Sequence, residues 1–379
     1  MKNHLFIILL ISGVLISCQN KKSHKNEVSE SLVQVDIDFA KGFDIESHPD
    51  YDLLHVKNSW PNSDKSFTYV ITKKDINLPE DLDYTHRIDL PIQRSIVSST
   101  THIPSLIQLD VLSTLVAFPE PDYISSPEAR KRINQEKVIN IGKNQKINTE
   151  LAISTQADLL VGFSMNGENK AYDLIENAGI PIVYNGDWVE ESPLGKAEWI
   201  KFFGVLFGKK EEAKIAFDKV KKNYLELQDL AKTADQKPSI ISGSLYRDVW
   251  YLPGGESWQA QFFKDAQTDY LYSDTKEAGS LSLSFESVLN KAQNADIWIA
   301  PGSLTSYKKM IDQNPHYQKF KAFQEKEIYG IAGQKGETGG VIYYELAPNR
   351  PDLVLKDLIK ICHPELIEDH AFVFYNALN

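Results

Sequence analysis

Between residues 196 and 234 this chain carries almost no strand signal. On either side of that gap, short apolar bursts alternate with helix-compatible segments. The chain is thereby divided into two alternating halves separated by helix alone. Within the gap, Ala213, Phe217, Val220, Tyr224, Leu227 and Ala231 recur at spacings of three or four, the signature of one buried helical face. Gly208 and two lysines separate a first helix from this longer one, expected over about 210–232 and ~35 Å long at 1.5 Å per residue. A rod of that length can tie two lobes together.

Upstream, "SIVSST", "LSTLVAF", "KVINIG", "ADLLVGF" and "IPIVYN" read as buried strands, with helices over 103–110 and 168–179 between several of them. Downstream, "SIISGSL", "VWYLP", "ADIWIA" and "IYGIA" read as strands among helices over 257–266, 285–293 and 305–323. Such alternation predicts an α/β fold with mostly parallel sheets covered on both faces. Residues 35–95 precede it as a β-rich stretch of short alternating runs: "VDIDF", "YDLLHV", "SFTYVIT" and "THRIDLPI". The last helix opens at Pro351 and stops at His363-Pro364. The plan is an N-terminal lobe over 35–195 with extra strands at 35–95, connecting helices over 196–235, a C-terminal lobe over 236–350, and a closing helix and tail over 351–379.

The first residues, "MKNHLFIILLISGVLISCQN", place Lys2 before an apolar run from Leu5 to Ile16, then Ser17 and Cys18. That is a secretory signal segment, too short and wrongly flanked for a stable membrane span. "LISC" resembles the lipobox of bacterial lipoproteins, which implies that Cys18 is acylated and becomes the first residue of the mature chain. Residues 19–34 are polar and aperiodic, a flexible tether. The expected location is the cell envelope, extracytoplasmic and lipid-anchored, on the periplasmic face. Cys362 is then the one remaining thiol, in an apolar helical pattern that points to a buried, inert side chain. A net charge of -11 excludes a basic nucleic-acid surface.

Catalytic signatures are missing. No Gly-x-Gly-x-x-Gly follows a strand, "GVLFGKK" is too short for a phosphate loop, and no Gly-x-Ser-x-Gly elbow occurs. Nine histidines are scattered without His-x-His, a cysteine cluster or an acidic calcium loop, so neither a cofactor nor a protein-built metal site is expected. Triad residues need not be neighbours in sequence, which leaves a hydrolase open as an alternative.

Two segments read alike: "INTELAISTQADLLVG" at 147–162 and "LSFESVLNKAQNADIWIA" at 283–300. In each, a small polar residue (Asn148, Ser284) is followed two places on by a glutamate (Glu150, Glu286), then an amphipathic run, Ala-Asp and a strand-like burst. With Asn148 and Ser284 as helix caps, both glutamates fall at the second helical position with the side chain free. A capping box would place them one residue later. A single such glutamate is explained by the helix dipole, at roughly 0.3–1 kcal/mol.

Together with "YLPGGESWQAQFFKDA" at 251–266 and "RPDLVLKDLIKICHPEL" at the end, these motifs resemble the solute-binding proteins of bacterial ABC importers for cobalamin and iron-siderophores. The resemblance covers about 95–365; the stretch 35–95 departs from the smallest members. It implies two α/β lobes joined by one rigid helix, a ligand cleft between them, and no enzymatic step. It also implies that Glu150 and Glu286 dock into arginine pockets on the two permease subunits. The expected ligand is an iron(III)-siderophore chelate, with cobalamin second and haem third, carried by a monomer. A rival from another class is an envelope sensory or adhesive lipoprotein that docks to no transporter. A free zinc or manganese carrier needs three or four protein ligands, and the sparse histidines count against it.

Ligands of α/β lobes gather in loops beyond the carboxyl ends of strands. In the first lobe those loops hold Thr101, His102, Phe118, Met165 and Trp188. In the second they hold Tyr246, Arg247, Trp250, Trp258 and the Tyr343-Tyr344 pair. Aromatic walls suit large planar or macrocyclic ligands, and an arginine suits an anionic chelate. The competing expectation is that some of these are core aromatics between helix and sheet, Trp258 and Tyr344 above all. His102 is expected as a hydrogen-bonding loop residue, with any iron or cobalt arriving already chelated.

Overall fold

The computed structural model describes residues 35–61 and 63–379, so the expected acylation site Cys18 and the tether lie outside the described residues. Alternating apolar positions after residue 42 build β1 (Phe43–Ser47), β2 (Tyr51–Lys57) and β3 (Ser66–Lys73) as an antiparallel meander. Strand β4 (His86–Leu90) joins β3 in parallel. Phe43, Leu54, Val56, Tyr69, Ile71 and Ile88 of this sheet enter the first-lobe core. The strand expected at "VDIDF" does not form. Instead the buried Glu198 carboxylate accepts from the backbone N–H groups of Asp38, Phe39 and Ala40 at 2.9, 2.6 and 2.8 Å. Glu190, also buried, accepts from those of Lys41 and Gly42, both at 2.8 Å. These carboxylates supply the partners that a ladder would have given.

The first lobe is centred on β5 (Ser95–Val97), β6 (Leu115–Phe118) and β7 (Ile139–Asn140). A two-stranded hairpin follows, β8 (Gly142–Lys143) and β9 (Lys146–Ile147), then β10 (Leu159–Gly162) and β11 (Ile182–Tyr184). The main sheet runs β11-β10-β5-β6-β7, every pair parallel. The helical gap begins with two short helices, Pro193–Glu198 and Ile200–Leu206, where the sequence suggested one. Lys210–Ala231 follows, 22 residues, hence ~33 Å. Its Ala213 and Phe217 belong to the first core, and its Tyr224 and Ala231 to the second. One amphipathic helix thus serves both lobes, which is why its apolar period runs unbroken.

The second lobe contains β12 (Ser239–Ser242), β13 (Ser244–Tyr246), β14 (Val249–Pro253), β15 (Asp269–Tyr270) and β16 (Ser280–Leu283). It ends with β17 (Ile297–Ile299), β18 (Ile328–Gly330) and β19 (Asn376–Ala377). Its main sheet is ordered β15-β12-β17-β18-β19, parallel except for the tail strand β19. Strands β13, β14 and β16 form a separate antiparallel sheet. "SIISGSL" is therefore two strands and not one. Gly243 between them has φ 75, and a Cβ there would lie 1.8 Å from the Tyr251 carbonyl oxygen. The helix expected over 305–323 is likewise divided: Tyr307–Gln313 ends before Pro315, which opens a 3-10 turn.

The closing helix Pro351–Cys362 buries Val354, Leu355, Leu358 and Ile359 in the second core, and burial pushes the Cys362 thiol well above its usual range. Among the described residues no helix is long and apolar enough to cross a membrane. The lobes also touch directly. The buried Glu345 carboxylate accepts from the Ser125 backbone and hydroxyl and from the Ser126 N–H. Asn349 donates to the Thr101 carbonyl and accepts from the Ser105 hydroxyl, both at 2.8 Å.

Candidate functional site

The carboxyl ends of β5, β6 and β10 converge on a cavity of about 310 Å³ between the lobes. Ser98, Ser99 and Thr100 line it from β5, Phe118, Pro119 and Glu120 from β6, and Phe163 from β10, while Val341 and Tyr344 face them from the second lobe. Asn144, in the turn of the β8–β9 hairpin, closes one side and donates to the Ser98 carbonyl at 2.9 Å. Asn144 and Phe163 also line an adjoining groove of about 730 Å³ that holds Met165, Glu168 and Lys170. A separate apolar cavity of about 420 Å³ lies where the connecting helix meets both lobes, but it is not at the strand ends where ligands of such sheets collect.

The site combines four aromatic rings, Phe118, Tyr123, Phe163 and Tyr344, with three aliphatic hydroxyls and one carboxylate. Tyr344 sits on the short helix Ile342–Leu346, where successive side chains point roughly 100° apart. Tyr343 is therefore carried the other way. It is 2% exposed and packs edge-on to Phe374 and Tyr375 at 5.7 and 6.0 Å, while Tyr344 is 61% exposed at the cleft. The expectation for this pair is reversed: Tyr343 is the core residue.

Two further expected cleft residues are also core. Trp250 is fully buried on the inner face of β14, stacked on Trp298 at 5.2 Å, with its indole N–H donating to the Ser242 carbonyl. His102 is fully buried against Phe203 at 5.4 Å, and burial lowers its pKa while the Asp187 carboxylate pulls the other way. An imidazole with no exposed surface is closed to a ligand in the cleft.

Of the remaining expected residues, Phe118 lines the cavity and Met165, 69% exposed, lines the adjoining groove. Thr101 is absorbed at the lobe junction, where its hydroxyl donates to Asp187 at 2.7 Å. Trp188 is exposed, and its carbonyl accepts from Lys196. Trp258 is half-buried with the Lys196 ammonium 5.1 Å from its ring. Tyr246 and Arg247 are exposed at the β13–β14 hairpin tip, the guanidinium 5.5 Å from the Tyr246 ring. These five are not among the cavity's lining residues. The residues the sequence did not single out, Glu120, Tyr123, Asn144 and Phe163, lie within a few positions of the strand ends that it did mark.

The twin motif forms as two copies of one device. Asn148 accepts from the Leu151 N–H at 3.1 Å and Ser284 from the Ser287 N–H at 3.2 Å, and both Glu150 and Glu286 are exposed at the second helical position. The acids of the two Ala-Asp pairs have matching tasks. Asp158 accepts from the N–H groups of Gln93 and Arg94 ahead of β5. Asp296 accepts from the N–H and hydroxyl of Ser239 at the start of β12. Burial alone would raise the Asp296 carboxyl, but hydrogen bonds from Lys321 and Ser239 outweigh it and hold it down at about 2.

A family model described as periplasmic binding protein matches residues 98–334. An uncharacterized lipoprotein of Methanocaldococcus jannaschii is 25% identical over 304 residues, covering 77% of this chain and 71% of that protein. A solved structure of a possible iron-binding (periplasmic solute-binding) protein of Staphylococcus epidermidis superposes with a TM-score of 0.56 at 19% identity, covering 72% of this chain and 99% of that one. A periplasmic heme-binding protein of Vibrio cholerae superposes with a TM-score of 0.55 at 16% identity, covering 69% and 99%. At those identities the two structures speak for the fold.

Proposed function

The chain belongs to the periplasmic binding protein family, and from that premise we propose that it captures an iron(III)-siderophore-type chelate outside the cytoplasm and hands it to an ABC permease. It is a substrate-binding protein and not an enzyme. The observation that carries the ligand reading is the aromatic-walled cavity at the strand ends, opening into a wider groove beside Met165. Rings and hydroxyls there suit a bulky chelate whose metal is already wrapped by its own donors.

Delivery is assigned to Glu150 and Glu286, each exposed on an equivalent helix entrance, one per lobe. The connecting helix is packed into both cores, so closure around the ligand is small and the two carboxylates keep their separation. Acylated Cys18 and the tether would hold the protein at the membrane surface. Equilibrium dialysis of the full-length protein against ferric hydroxamate, ferric catecholate, cobalamin and haem tests the reading. Retention of an intact ferric chelate at micromolar concentration or tighter is expected, and no retention of any of them overturns it.

A further inference from the structure

Resting on the chelate-binding reading, we infer that the ligand presents a positive charge to Glu120 and that anionic chelates are rejected there. Among the described residues Glu120 is the only charged one lining the cavity. It sits immediately past Phe118-Pro119 with φ 51 and ψ 56, a left-handed conformation that side chains other than glycine rarely adopt. The turn is held in that conformation at both ends. The Glu120 N–H donates to the Gly142 carbonyl at 2.8 Å, and its carbonyl accepts from the Tyr123 N–H at 3.1 Å.

Such conformations persist where surrounding structure fixes them. The half-buried Glu120 carboxylate has no hydrogen-bond or ion-pair partner among the described residues. Tyr123 and Tyr344 line the same cavity, and aromatic rings attract cations at their faces. A carboxylate in a cavity lined by aromatic rings is favourable for an ammonium group or a positively charged complex. It is repulsive toward a polyanion, which is how sites exclude competing ligands. In the adjoining groove Glu168 and Lys170 offset one another, and Arg247 lies outside the lining of both spaces. The ligand class is therefore a ferric chelate with a cationic arm or net positive charge, such as a trihydroxamate bearing a free ammonium.

The experiment uses three probes on the full-length protein by equilibrium dialysis. They are ferrioxamine B with its free ammonium, the same complex N-acetylated and neutral, and ferric enterobactin, a triply negative tris-catecholate. Ferrioxamine B should bind about tenfold more tightly than its acetylated form, with the catecholate weakest. Glu120→Gln should erase the difference between the first two, and Glu120→Lys should invert the order, with melting temperatures of both variants recorded as fold controls. Equal affinities for the first two, or preferred binding of the catecholate, would overturn the charge inference while leaving the chelate reading intact. Failure of all three together with cobalamin and haem would overturn both.

Discussion

Tyr343 and Tyr344 share a side chain and a helix, yet one is sealed behind Phe374 and Tyr375 and the other stands open at the cleft. Truncating them should therefore separate stability from binding. Tyr343→Ala should cost about 3–5 kcal/mol of unfolding free energy, the usual range for a large aromatic lost from a core. Tyr344→Ala should leave the urea midpoint nearly unchanged and weaken chelate binding several-fold; the opposite pattern would reverse the assignment. Neither outcome was legible from "IYYEL", because composition marks both residues as aromatic while the helix phase that sorts them is set by the second core. Trp250 and Tyr251 pose the same problem in a strand: adjacent residues face opposite sides, and only the pairing of β14 decides which is inside.

The repeated helix entrance is a case where sequence was informative at the scale of an element. Caps, glutamates and the following strands all fall where the spacing places them, since each depends on neighbours within a few residues. What spacing could not reveal is the use of Asp158 and Asp296, whose partners lie 64 or 65 and 57 residues away in the chain. The same reach explains the missing strand at "VDIDF", where Glu198 supplies hydrogen bonds from 158–160 positions downstream. The Asp296 carboxyl, held below its ordinary 3.8 at about 2, stabilises the fold fully above 3.8 and progressively less as pH falls through 2. Both Asp296 and Lys321 are more than a third exposed, so solvent screening limits the carboxyl's contribution to about 1 kcal/mol. The stability gap between wild type and Asp296→Asn, measured by urea denaturation, should be largest near neutral pH, narrow below about pH 4 and close only as pH falls through about 2; a gap that widens on acidification would contradict this.

For the whole molecule, the strand-free gap with its continuous apolar period was enough to foresee two lobes on one rod, because that period must be buried by something on each side. The cleft itself was only half visible: strand ends located it, but the wall supplied by Glu120, Tyr123 and Tyr344 depends on how the lobes meet. If Glu150 and Glu286 are the docking pair, reversing both to arginine should abolish chelate uptake by cells that rely on this protein while leaving the dialysis affinity unchanged. Uptake unaltered by the double reversal would remove the transporter from the proposal.

The paired clamp of Glu190 and Glu198 on residues 38–42 has a mechanical side. Asp38 is bonded to Lys221 at 2.7 Å and Phe39 lies 6.0 Å from Phe217, so the start of the described chain is fastened against the shaft that both halves share. A load entering at residue 38 is taken up by this clamp and by the shaft together. It bears on none of the residues that line the cleft.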